Sequence, residues 1–129
     1  PEYPAPVAVI KIDTEGHELA VLAGADSLIA RDRPTILLET PVTLAIIDWA
    51  ERRRYIVGAA CIPATGIGPS FRWFTEPDSA HVKMVLLAPT EDLARLRSIT
   101  DELYGKPTEY HRALKRFQTR TLELWHAGP

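Results

Sequence analysis

The chain has 129 residues, a length that suits one domain built around one hydrophobic core. Apolar residues make up 46% of it and charged residues 25%, a balance that excludes an intrinsically disordered chain. The net charge of -2 gives no global indication of binding to nucleic acid or an anionic membrane, and no apolar run approaches the length of a membrane span. One cysteine cannot form an internal disulfide, which favours a reducing compartment and predicts a cytoplasmic location.

The first predicted elements are a strand at residues 7–12 and a helix from His17 to Asp32. The strand reads VAVIKI and is apolar on both faces, as strands of a parallel sheet usually are. Gly16 and the acids before it form the turn between the two elements. Gly24 lies inside the helix, where a glycine can divide it into two short pieces.

A second strand is predicted at residues 35–39, TILLE, and it also ends in an acid. A helix from Pro41 to Arg54 follows, because proline suits the first turn of a helix. Residues 55–62 are predicted to form a third strand. The core-facing side of the helix is marked by apolar residues at helical spacing, which are Val42, Ile46 and Trp49.

Residues 63–81 are rich in proline, glycine and aromatic residues and are predicted to form one long loop. Its aromatic side chains either line a pocket for a small molecule or cover the edge of the sheet; they are Phe71, Trp73 and Phe74. A fourth strand is predicted at residues 82–88. Helices at 91–104 and 107–126 complete the chain, and the last of them is amphipathic.

This order of elements predicts an α/β fold in which the first three strands pair in parallel. In open α/β sheets, ligands bind at the carboxyl ends of the strands. Asp13 and Glu39 directly follow the first and second strands. If these strands are neighbours, both acids lie at the same edge of the sheet.

Residues 10–39 carry a more specific pattern, IKIDTEGHELAVLAGADSLIARDRPTILLE. A strand ending in Asp-x-Glu-Gly is followed by a Glu-Leu-x-x-Leu-x-Gly-Ala helix and by a strand ending in Glu. In order and spacing this segment resembles the FkbM-type methyltransferase family. Beyond about residue 90 the chain shows no such resemblance.

The resemblance implies a Rossmann-like methyltransferase that uses S-adenosylmethionine and transfers its methyl group to a small-molecule or sugar hydroxyl. It also implies a seven-stranded sheet whose last strand is inserted antiparallel. This chain would hold the C-terminal half of that domain, about four strands, three parallel plus one antiparallel, with flanking helices. Residues 1–90 would form this half, and residues 91–129 a helical extension.

The Gly-rich cofactor loop and the ribose-binding acid of the family have no counterpart in this sequence. Gly66-Ile67-Gly68 is followed by Pro69 rather than by a helix, so it fails the structural test for such a loop. We therefore expect the chain alone to be inactive. Its expected partner is the missing N-terminal half, or a second copy that pairs through the strand at residues 7–12.

The acids at the strand ends are the candidate site residues. Asp13, Glu15 and Glu39 are predicted to be catalytic, since methyl transfer to a hydroxyl benefits from a base that removes its proton. Asp13 and Gly16 are predicted to contact the cofactor, and no metal site is predicted. Structural alternatives stay open: Asp13 could bind the amides of the turn, and Glu15 could interact with the helix dipole. Gly16 suits the turn itself.

Three nearby residues have simpler expectations. Glu18, in the first helical turn, is predicted to stabilise the helix dipole and to matter little for catalysis. Lys11 is expected to form a salt bridge with Asp13 or Glu39, because an unpaired buried charge is costly. His17 is expected to be a surface residue at the helix start.

Two other functions are open at this stage. The chain could be a non-catalytic remnant or assembly module that keeps the half-sheet without cofactor binding. It could also be another nucleotide-using Rossmann-like enzyme.

Overall fold

A computed structural model describes residues 5–61, 70–78, 82 and 84–104 and shows an α/β fold with one mixed sheet. The described residues form five strands, four α-helices and one 3-10 turn. They are β1 (Val9–Ile12), α1 (Glu18–Gly24), α2 (Asp26–Asp32), β2 (Thr35–Leu38), α3 (Leu44–Arg52), β3 (Tyr55–Cys61), β4 (Ser70–Phe74), β5 (Val85–Pro89), a 3-10 turn (Thr90–Asp92) and α4 (Leu93–Tyr104).

The sheet has the order β1-β2-β5-β3-β4. β1 pairs with β2 in parallel, whereas the β2–β5, β5–β3 and β3–β4 pairs are antiparallel. The predicted sheet of four strands with three in parallel pairing was therefore wrong in strand number and in pairing. β5 lies between β2 and β3, so β3 has the same direction as β2 without touching it, and the inserted antiparallel strand agrees with the family resemblance.

The fifth strand, β4, comes from the segment predicted to be a loop. Residues 70–74, SFRWF, pair along their whole length with β3, from Cys61↔Ser70 to Val57↔Phe74. The proline and glycine residues around this short segment hid its β character at the sequence level. Residues 63–69 and 79–81 of the predicted loop, residue 62 of the predicted third strand, and the helix predicted at 107–126 lie outside the described residues.

The helix predicted from His17 to Asp32 is divided at Ala25 into α1 and α2, as Gly24 indicated. Together they connect β1 to β2 and give the pair its parallel direction. The backbone N–H of Val7 donates to a carboxylate oxygen of Asp32 at 2.9 Å, which fastens the chain before β1 to the end of α2.

The core lies between the sheet and helices α1 to α3. α3 begins after Thr43, whose hydroxyl accepts a hydrogen bond from the backbone N–H of Ile46. The predicted helix start at Pro41 was wrong, because Val42 lies before α3 and forms an isolated antiparallel bridge with Asp78. The predicted burial is confirmed for Val42, Ile46 and Trp49, of which only the last two belong to the helix. Cys61 is buried in the same core.

β1 was predicted to be buried on both faces of the sheet, but one of these faces is partly exposed to solvent. A row of paired positions crosses all five strands on this face: Lys11, Leu37, Leu86, Gly58 and Trp73. Lys11 is exposed and Leu37 is half-buried, whereas Ile12 and Leu38 on the opposite face are buried. Val9 is 59% exposed. β1 is therefore buried on one face only, in contrast to the apolar burial expected on both.

Candidate active site

The carboxyl ends of β1 and β2 meet at one edge of the sheet. Ile12 pairs with Leu38, and the backbone N–H of Glu39 donates to the carbonyl oxygen of Ile12 at 3.1 Å. Asp13 and Glu39 are thus the next residues on two adjacent strands, and both are exposed. Their predicted position at the same edge is confirmed by this register.

The turn after β1 has an unusual backbone conformation. Glu15 has a φ of 52° and Gly16 a φ of 107°, both in the region that L-amino acids disfavour. For a non-glycine residue such as Glu15 this conformation costs roughly 1–2 kcal/mol. Glycine at position 16 is required by the backbone angle and not by crowding, since a Cβ there would meet nothing within 4 Å.

Glu18 holds this turn from the start of α1. Its Oε1 accepts hydrogen bonds from the backbone N–H groups of Gly16 at 3.0 Å and Thr14 at 3.4 Å, and from the Thr14 hydroxyl at 3.2 Å. The hydrogen bond from the Gly16 amide, followed by that from the backbone N–H of Glu18 itself and by those from Thr14, holds the pKa of the Glu18 carboxyl below its usual range. Glu18 is 6% exposed, which is low for a carboxylate.

Lys11 and Asp13 form the salt bridge that was predicted as one of two possibilities, with Nζ and Oδ2 3.2 Å apart. Both side chains are about half exposed, so the pair contributes little to stability. It does bring a cation to the Asp13 carboxylate on the less covered face of the sheet. His17 is exposed, as predicted, with its Nδ1 3.4 Å from the carbonyl oxygen of Thr14.

The structure therefore brings the predicted catalytic acids Asp13, Glu15 and Glu39 to one edge, with Gly16 in the turn among them. The sequence analysis did not predict the hydrogen bonds between Thr14 and the Glu18 carboxylate. A glutamate two residues after a glycine was visible in the sequence, but its inward direction depends on the positive φ angles of the turn.

The aromatic residues of the region after β3 lie elsewhere. The rings of Phe71 and Trp73 meet edge to face with centroids 5.1 Å apart, and Phe71 also contacts Tyr104 of α4. Trp73 and Phe74 line a groove of about 280 Å³ beside Tyr55 and Arg97. A second groove of about 470 Å³ lies between α2 and the end of α3. Neither groove is lined by Asp13, Glu15 or Glu39.

Metal-binding clusters and membrane-spanning helices are both absent from the described ranges. Among those residues, no group of three or more His, Cys, Asp and Glu side chains is arranged to hold a metal ion. Within the same part of the chain, none of the helices has the length and apolar character that crossing a membrane requires.

The segment that carries this sheet edge was compared with known protein families. Residues 2–57 match the family described as the methyltransferase FkbM domain. The resemblance predicted from residues 10–39 is confirmed by this match, which covers β1, β2 and the acids that follow them. Comparisons with curated proteins and with solved structures found no match to the chain.

Proposed function

We propose that the acid edge takes part in methyl transfer from S-adenosylmethionine to the hydroxyl oxygen of a small molecule or sugar. The observation that carries the proposal is the register of β1 and β2, which brings Asp13 and Glu39 side by side in a segment that matches the FkbM methyltransferase family. The reaction is a displacement: the acceptor oxygen forms a bond to the methyl carbon, and the carbon–sulfur bond breaks.

Asp13 is proposed to receive the proton that the acceptor hydroxyl loses. It is exposed at the strand end, and a general base of this kind typically contributes about a hundred- to ten-thousand-fold in rate. Glu39 and Glu15 are proposed to hold the hydroxyl groups of the acceptor, because carboxylates accept hydrogen bonds from them. Gly16, without a side chain, would let the cofactor approach the backbone.

The cofactor loop is proposed to come from a segment outside residues 1–129. No Gly-rich loop between a strand and a helix occurs in the sequence, and in the described residues β1 has β2 as its strand neighbour. A Rossmann-like sheet completed on the other side of β1 would add strands there. Their carboxyl ends would join the edge that carries Asp13.

The test is methyl transfer by the native protein that contains residues 1–129. Tritiated S-adenosylmethionine would be incubated with a panel of sugars and small alcohols, and label in the product measured for the wild type and for Asp13→Asn. We expect at least about a tenfold loss of turnover for Asp13→Asn. The matched control is Asp48→Asn, because Asp48 is an exposed aspartate on α3. Unchanged turnover in Asp13→Asn would show that the acid is structural.

A non-catalytic assembly module is the second candidate function. It is favoured by the two grooves, both of which lie away from the acids. For such a module, no oxygen acceptor in the panel would be labelled, and S-adenosylmethionine would not bind to the native protein in a calorimetric titration. Binding together with labelled product would exclude it.

A further inference from the structure

Glu18 is a buried acid beside the proposed reacting edge, and the proposed reaction gives it no role. One carboxylate oxygen, Oε1, accepts three hydrogen bonds from the preceding turn, donated by the Thr14 N–H, the Thr14 hydroxyl and the Gly16 N–H. These donors lie on either side of Glu15 in the sequence. The carboxylate therefore closes the turn around the residue that has the disfavoured backbone conformation.

We propose that Glu18 is a positioning residue that fixes the backbone of residues 13–16, so that Asp13 and Glu15 point to the reacting edge. This inference rests on the proposed function. Glu18 acts through the turn and does not touch the reactants. Its buried carboxylate replaces the water that the Thr14 and Gly16 amides would otherwise bind.

Stabilisation of the helix dipole is the competing explanation for Glu18, and the contacts argue against it as the main role. The three hydrogen bonds to Oε1 come from Thr14 and Gly16, which precede α1. The backbone N–H of Glu18, the first of the helix, also lowers the pKa of the carboxyl, but less than the Gly16 amide does. α1 has seven residues, so its dipole is also short. The directed contacts therefore assign Glu18 to the turn.

Two substitutions at Glu18 separate these roles. Glu18→Gln removes the charge but keeps a carbonyl oxygen that can accept two hydrogen bonds, such as those from the Gly16 N–H and the Thr14 hydroxyl, whereas Glu18→Ala removes both the charge and the acceptor. A dipole role would make the two variants equally defective. A positioning role predicts that the glutamine variant is rescued and the alanine variant is not.

The experiment measures amide hydrogen exchange and methyl transfer in the native protein that contains residues 1–129. In Glu18→Ala we expect exchange at Thr14 and Gly16 to accelerate at least about tenfold, and kcat for tritiated methyl transfer to fall by a similar factor. In Glu18→Gln both quantities should stay within about threefold of the wild type. Glu51→Ala, an exposed glutamate near the end of α3, is the matched control and should change neither.

The outcomes distinguish the inference from the function on which it rests. If the wild type transfers no methyl group, the proposed function fails, while exchange and the ¹⁵N shifts of Asp13 and Glu15 still show whether Glu18 orders the turn. Equal defects in the alanine and glutamine variants, or unchanged exchange at Thr14 and Gly16 in Glu18→Ala, would overturn the positioning role.

Discussion

Non-glycine residues with positive φ angles occur both at the carboxyl ends and at the amino ends of the strands, and their surroundings differ. Glu15 has such an angle in the turn after β1, beside the acids. Arg33 and Arg54, with φ of 52° and 57°, have it just before β2 and β3, at the opposite ends of the strands. The Arg33 guanidinium donates to the carbonyl oxygens of Arg53 and Arg54, so this strain belongs to a structural clamp. Backbone strain alone therefore does not identify a site. The exposed acids around Glu15 are the distinguishing feature.

Gly58 of β3 lies under the aromatic rings of β4, and a substitution there would test how tightly they pack. A Cβ at this position would lie 2.7 Å from the Phe71 ring and 2.8 Å from the Trp73 ring, closer than real Cβ contacts. We expect Gly58→Ala to lower the free energy of unfolding by about 1–3 kcal/mol, because the rings must move. Urea denaturation would measure the change.

Gly24 provides the matched control for that substitution. It lies in α1, where a Cβ would meet nothing within 4 Å, and its φ is not positive. Gly24→Ala should be neutral or stabilising by up to about 1 kcal/mol, since alanine favours the helix. Equal effects at the two glycines would contradict the packing explanation for Gly58.

At the scale of elements, Arg33 joins the ends of three of them. Its guanidinium forms two hydrogen bonds of 2.9 Å with the Glu91 carboxylate in the 3-10 turn, and it also binds the two carbonyl groups after α3. The Tyr55 ring lies below it at 4.6 Å from the guanidinium carbon. The turn before α4 is thereby fastened to the sheet.

This clamp predicts a loss of stability in acid. The pKa of the Glu91 carboxyl is lowered from its usual 4.5 to about 2, and the hydrogen bonds from Arg33 are the largest cause. A lowered carboxyl pKa contributes stability above the unfolded value, and the contribution disappears as the pH falls from about 4.5 to about 2. Because Glu91 is about half exposed, we expect less than about 1 kcal/mol.

The clamp can be tested with Glu91→Gln. Its free energy of unfolding should fall below that of the wild type at pH 7 and equal it near pH 2, as measured by urea denaturation at each pH. Glu76→Gln serves as control, because Glu76 is an exposed glutamate in the separate segment that follows β4. A difference between Glu91→Gln and wild type that persists at pH 2 would contradict the explanation.

At the scale of the whole molecule, the proposed function leads to a prediction about cofactor affinity. Residues 1–129 by themselves are expected not to bind S-adenosylmethionine tightly, since the Gly-rich loop and the ribose acid are missing. Calorimetric titration of the purified chain would measure this. A dissociation constant in the micromolar range would show that the cofactor site lies elsewhere in these residues.

The free side of β1 leads to a prediction about association. In the described residues β1 pairs with β2 alone, and the segment VAVIKI is rich in β-branched residues. Such an edge pairs readily with another strand. The purified chain should therefore dimerise through this edge, aggregate, or cover it with the amphipathic segment 107–126. Light scattering combined with hydrogen exchange decides among these, and a stable monomer with freely exchanging amides at residues 9–12 would contradict all three.

The sequence by itself determined the α/β class, the family resemblance, and the positions of β1, β2, α3 and the acids. Those conclusions depend on local information: apolar runs, helical spacing and a strand that ends in Asp-x-Glu-Gly. The division of the first helix near Gly24 could also be predicted from local information, because glycine weakens a helix whatever its tertiary surroundings.

Only the tertiary structure decided how the strands are ordered and which groups Glu18 contacts. β5 separates β2 from β3, and β4 pairs within a segment whose composition indicated a loop; both depend on partners distant in the sequence. Glu18 was predicted to act on the helix dipole, yet its carboxylate turns inward to the Thr14 and Gly16 amides. That direction follows from two positive φ angles, which the composition of a turn permits but does not specify.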